Sequence, residues 1–164
     1  MNARSAVNGP RRFRSALVLG LAVLLTAGAA AARLEPADPD VPIEARRVLE
    51  QLAQAFTDGD HRAVADLVHP DGIRLGLGPD PERISELTAA QAHYYFKALF
   101  QTRQTLSFEY LRHHAATGDR VLARAVWRSR GANQGTADMQ RVLVTLARHE
   151  QGWRLTELTA LRGG

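Results

Sequence analysis

Cysteine is absent from the 164 residues, and that absence excludes several things at once. No disulfide can brace the fold, so a hydrophobic core must hold it unaided. Thiolate chemistry is unavailable, and so is a lipid anchor on an N-terminal cysteine. Aromatic residues are few, at 6%. Negative charge is missing from the start of the chain. All 17 acidic residues lie at Glu35 or later, whereas Arg4, Arg11, Arg12 and Arg14 precede Arg33. The formal charge of +4 therefore belongs to the N-terminal segment, and the remainder carries 17 basic against 17 acidic groups. A nucleic-acid-binding domain wants clustered positive charge, so no nucleic-acid partner is expected.

What stands at the start has the three parts of an export signal. Four arginines form a positive region. Ser15 to Ala32 is uncharged, Leu/Val-rich in ALVLGLAVLLT and small in AGAAAA. Ala27-Gly28-Ala29 and Ala30-Ala31-Ala32 both fit the A-x-A pattern, placing the cut after Ala29 or Ala32. An uncleaved anchor is the alternative, but the uncharged run barely reaches the roughly 18 residues a span needs. Arg11-Arg12 raises a twin-arginine route, yet Phe13 follows directly and favours the general secretory route. Residues 1–32 are thus expected to be a cleavable signal, and the product periplasmic or extracellular, with no membrane attachment after cleavage. Residues 33–41, RLEPADPDV, read as a linker. Residues 42–164 hold no internal repeat and suit one domain.

Periodicity orders that domain. A first helix runs from about Pro42 to Thr57, with Asp40 available as a cap and Ile43, Val48, Leu49, Leu52, Ala53 and Phe56 as its apolar stripe. Gly59 is placed as a left-handed cap, and Asp60 opens a shorter helix, HRAVADLVH. Pro70-Asp71-Gly72 is a turn, followed by the alternation Ile73, Leu75, Leu77 of a short strand. GPDPERISEL reads as a loop. Thr88 and Gln91 have capping-box spacing and open a third helix, to about Gln101. Four strands follow, around Leu106–Leu111, Arg120–Arg130, Met139–His149 and Trp153–Leu161. Helices first and hairpin-linked strands afterwards predict an α+β fold.

This order resembles the nuclear transport factor 2-like superfamily, with its SnoaL-like and ketosteroid-isomerase-like proteins. The likeness is carried by Phe56-Thr57-Asp58-Gly59-Asp60, by AVADLVHPDGIRL, by a third helix after a Gly/Pro loop, and by strands around Gly152-Trp153-Arg154-Leu155. It covers about Pro42 to Arg162. It implies a cone-shaped α+β domain, with three N-terminal helices packed on a curved antiparallel sheet and a mouth able to hold a small molecule. It also implies a homodimer through the open sheet face. Members range from isomerases and dehydratases to binding and protein-interaction domains, so the fold alone does not choose an activity.

The isomerase branch places a Tyr seven residues before the Gly of the Gly-Asp turn, where this chain has Leu52. Its general base falls by ungapped count at Gly76, and Gln140 to Ala147 holds no acidic donor. Proton abstraction beside a carbonyl then lacks its machinery. The dehydratase-like members' His/Asp/Tyr group leaves His69, Asp71 and His93 as catalytic candidates, with Asp66, Tyr94 and Tyr110 as further parts. Asp71 also has a plain role, bonding its own turn. His113-His114 would point to opposite faces of a strand, and no third ligand lies nearby, so no metal and no cofactor is expected. Tyr94, Tyr95, Phe108, Tyr110 and Trp127 form the expected ligand-binding set, the alternative for each being the core. Arg124, Arg128 and Arg130 share a strand face, with Glu109 and Glu157 placed to balance them across strands. The expectation is an exported, non-catalytic domain binding a small apolar ligand or an envelope protein. A small lyase or isomerase and an envelope scaffold are the alternatives.

Overall fold

The computed structural model describes residues 41–77, 83–131 and 135–161. The expected signal (1–32) and residues 33–40 of the expected linker lie outside them, as does Arg162. Val41, read as the linker's last residue, is buried in the core at 3% exposure.

Helix α1 spans Ile43–Asp58 and buries Ala45, Leu49, Leu52, Ala55 and Phe56 on one face. Ile43 leaves the expected stripe and is 61% exposed. The cap is Pro42, without a side-chain hydrogen bond. Asp40, the expected cap, lies outside the described residues. Gly59 ends α1 at φ +66° in the left-handed conformation that glycine adopts without steric penalty. Asp60 then caps α2, His61–Asp66, its Oδ1 accepting from the Arg62 and Ala63 N–H groups at 2.9 and 3.1 Å. The Ala63 bond, foremost, holds that carboxyl below the usual carboxylate range.

Strands β1 (Ile73–Gly76) and β2 (Ser85–Leu87) come before helix α3 (Ala89–Thr102). β3 (Arg103–Thr117), β4 (Arg120–Gly131), β5 (Asp138–His149) and β6 (Gly152–Leu161) follow. The sheet order is β2-β1-β6-β5-β4-β3. Two expectations are corrected. The sheet is mixed, because β6 enters between β5 and β1 and runs parallel to β1, with Arg74 opposite Glu157 and Leu75 opposite Leu158. The third helix follows a strand and precedes four, as the sequence order has it, but β1 and β2 separate it from α1 and α2, so the three helices are not grouped N-terminal to the sheet. β2 itself sits inside the expected loop. Three residues are too few to show alternation, and its pairing with β1 is a tertiary fact.

The helices cover one sheet face, and Phe56 stands at the centre of the packing. Its ring lies 4.6 Å from Phe108, 5.2 Å from Phe100, 5.7 Å from Trp127 and 6.2 Å from Phe96. Phe56, Phe96 and Trp127 have no exposed surface, and Phe108 only 6%. Edge-on contacts such as Phe56 with Phe100 and Trp127 suit the ring quadrupoles. These rings pack against one another between the helices and the sheet.

Candidate functional site

The polar ends of the buried aromatics face the domain's own groups. Tyr95 on α3 donates to the Leu77 carbonyl at 2.7 Å and accepts from the Leu77 N–H at 3.1 Å. Tyr110 on β3 donates to the Leu49 carbonyl of α1 at 2.9 Å. The Trp127 indole N–H reaches Thr105 Oγ1 at 3.0 Å. Burial raises both tyrosine pKa values above the usual phenol range, the Leu77 bond partly opposing it at Tyr95. Tyr94 stands apart on the outer surface of α3, 70% exposed. The five residues of the expected ligand set thus divide into four packed between helices and sheet and one facing solvent.

A groove of about 390 Å³ opens at a different place, where β1 and β2 meet the start of α3 and the middle of β6. Asp71, Arg74, Glu86, Thr88, Gln91 and Thr156 supply its polar lining, and Ile73 and Leu87 its apolar part. Each wall has a local cause. The turn at Pro70-Asp71-Gly72 closes with a bond from the Gly72 N–H to the His69 carbonyl at 2.9 Å. It is held against β6 by the His69 N–H bonding to Leu155 O and the Leu155 N–H bonding to Leu67 O, at 2.9 and 2.8 Å. Gly72 has φ +114°, and a Cβ there would stand 2.5 Å from the Leu87 carbonyl oxygen, so only glycine lets β2 come this close. Thr88 and Gln91 complete a reciprocal capping box. The Thr88 N–H reaches Gln91 Oε1 at 3.0 Å, and the Gln91 N–H reaches Thr88 Oγ1 at 3.3 Å.

The charged rim contains one guanidinium and two carboxylates. Arg74 is already engaged with Glu157 at 3.6 Å, and Glu157 also accepts from Thr145 and Thr159 on its two neighbouring oxygens. Glu157 thus balances Arg74 across a strand pair, and none of the salt bridges among the described residues joins it to Arg124, Arg128 or Arg130.

Two of the three catalytic candidates, His69 and Asp71, meet, and His93 stands apart from them. His69 lies beside the groove, its side chain 14% exposed, with Nδ1 3.6 Å from Asp71 Oδ2. The same Nδ1 accepts the Asp71 backbone N–H at 3.2 Å, so the neutral ring carries its proton on Nε2. The imidazole supports the turn, and the Asp71 carboxylate is 92% exposed. His149 repeats the arrangement, Nδ1 accepting from the Gln151 N–H at 3.3 Å, and its ring meets that of His69 edge to face at 5.0 Å. His93 is elsewhere, its ring 4.9 Å from His61 on α2. Asp66 is exposed at the end of α2, where its carbonyl receives Arg154 Nη1 at 3.3 Å. His113 and His114 stand opposite Ala123 and Leu122 on β4, on opposite sheet faces, and the His113 ring lies 5.3 Å from Tyr110. Leu52 is fully buried and Gly76 lies in β1 with Ile84 Cγ1 3.0 Å from where its Cβ would be.

Sequence reasoning did not single out Arg74, Glu86 or Thr156 for a site. The turn and the capping box were legible, but nothing in the sequence says that both border one depression.

The sequence matches the SnoaL-like domain family over residues 49–157. The chain belongs to this family, and its fold is the nuclear transport factor 2-like α+β architecture. Among solved structures it is similar to a ketosteroid isomerase-like protein from Erwinia carotovora atroseptica, at 14% identity and a TM-score of 0.56, covering 72% of this chain and 94% of that one. An LEH-like epoxide hydrolase from M. tuberculosis superposes at 14% identity and TM-score 0.55, covering 71% and 80%. A DUF4783 family protein from Bacteroides uniformis does so at 13% and 0.57, covering 70% and 96%. Among curated proteins no sequence match is found.

Proposed function

We propose that this is an exported, non-catalytic binding module that holds a small polar molecule in the groove between β1, β2 and α3. One observation carries the reading. Phe56, Phe96, Phe108 and Trp127 are buried against one another between helices and sheet, whereas the groove is open and has a largely polar lining. Its volume falls within the range of small-ligand sites, and its hydroxyls, amide and carboxylates offer directional bonds rather than bulk burial. The isomerase and hydrolase names among the structural neighbours belong to those proteins.

The second reading, a small lyase or isomerase, is favoured by one contact, His69 beside Asp71. Against it stands the commitment of Nδ1 to the turn, which leaves no free basic nitrogen on the neutral ring. Native mass spectrometry of the chain purified from its own host tests the proposal and reports the oligomeric state with it. The expected result is a retained small molecule whose occupancy falls about tenfold in Glu86→Ala, the effect of roughly 1.4 kcal/mol. Occupancy should survive in His69→Gln. A bare chain, or a ligand that the wild type converts and His69→Gln does not, would sink it.

A further inference from the structure

The even balance of charge hides an uneven distribution. Opposite the helices, the sheet presents Arg112 on β3, Arg124, Arg128 and Arg130 on β4, and Arg141 on β5, all exposed. Register places them together. Arg112 lies directly opposite Arg124, Arg128 lies between Ser107 and Met139, and Arg141 lies opposite Val126. Glu109, also opposite Val126, is the one carboxylate that these three strands place on that face, set between the partners of Arg124 and Arg128. No salt bridge among the described residues engages any of the five arginines. Two like charges held directly across a strand pair destabilise an isolated sheet.

Apolar groups are interleaved with the arginines. Val126 and Leu143 are half-buried between them, Leu143 lying opposite Arg124. Met139 is 59% exposed, and Leu111, which the β3 register shift leaves unpaired, is 49% exposed. Arginine and methionine are residue types enriched at protein interfaces. Every cation on this face is arginine, the residue suited to bidentate carboxylate pairing.

We propose that this face of β3, β4 and β5 docks an acidic protein surface, whose carboxylates straddle the Val126–Leu143 strip and pair with Arg112, Arg124, Arg128 and Arg141. The docked carboxylates relieve the Arg112–Arg124 repulsion that the free domain bears. A two-fold self-pairing would set this positive patch against itself, so a second copy is a poor occupant. The apolar strip lies between the arginine stems rather than beyond them. A facing protein can reach it with interdigitated side chains, and a phosphate backbone gains nothing from it.

The test uses the purified chain with three probes: a soluble peptide rich in Glu with interspersed Leu, phosphatidylglycerol vesicles, and a DNA duplex. Binding to the peptide is expected to weaken at least tenfold between about 0.05 and 0.3 M salt. It should fall at least tenfold in R124E/R128E and in the milder R124Q/R128Q, with the urea midpoint no lower than wild type. R62E, on the exposed surface of α2, should bind as wild type does. Equal loss in R62E, indifference to salt, or tighter binding to vesicles or DNA would overturn the proposal. So would a dimer in sedimentation that R124E/R128E dissociates.

Discussion

At Gly72 and Gly152 the backbone adopts nearly the same positive φ, +114° and +113°, but the surroundings differ. A Cβ at Gly72 meets the Leu87 carbonyl oxygen at 2.5 Å, whereas one at Gly152 meets nothing within 4 Å. Strain of this kind costs on the order of 1–3 kcal/mol. Gly152→Ala is expected to lose about 1–2 kcal/mol, and Gly72→Ala about 3 kcal/mol because β2 must also move. Urea denaturation of both variants separates conformational strain from close approach. Equal losses would show that β2 yields freely. The turn at Pro70-Asp71-Gly72 was legible from residue type. The approach of Leu87 was not, since it joins positions with no local relation.

The helices show how far local chemistry reaches. Gly59, Asp60 and the Thr88–Gln91 box were readable because caps act within three or four residues. Thr88→Ala removes one member of the box and is expected to cost about 1 kcal/mol, measured as a lower urea midpoint with unchanged slope. Restoring the hydroxyl with Ser should recover most of it, whereas failure to recover would point to the Thr88 methyl group. Strands were less legible than helices. β3 begins at Arg103, three residues before the alternation from Leu106 suggests, because Arg103 Nη1 bonds Asp138 Oδ2 at 2.8 Å and Ser129 Oγ at 3.0 Å. Its guanidinium also lies 5.8 Å from the Trp127 ring centroid. Those partners come from two other strands, so no window of sequence around Arg103 contains them. The parallel pairing of β1 with β6 was hidden for the same reason, as was the groove that β6 helps to line through Thr156.

Across the whole molecule, two buried phenols set an alkaline limit to stability. Tyr95 and Tyr110 ionise above their usual value in the folded chain, through burial. The unfolded chain loses those protons first, near pH 10, and so binds fewer protons than the native state there. Unfolding free energy must then fall as pH rises above about 10, and it is unaffected by these groups below that. Each phenol contributes up to roughly 1.4 kcal/mol per pH unit. Tyr110→Phe should flatten the decline between about pH 10 and 11.5, although it loses about 1 kcal/mol at neutral pH with the Leu49 bond. Urea midpoints across that range check it, and an unchanged slope would show that Tyr110 is not the source.

The position of β6 has a consequence for how the chain is made. It lies between β1 and β5, and its Leu155 ties both the turn after α2 and the strand β5. Until β6 has emerged from the ribosome, β1 and β2 have no neighbour joining them to the antiparallel strands. Leu75 and Leu158, paired across that junction, come from strands with α3 and three other strands of the antiparallel run between them in the chain. β6 is thus the keystone of the sheet, since β1 and β2 reach the antiparallel strands only through it.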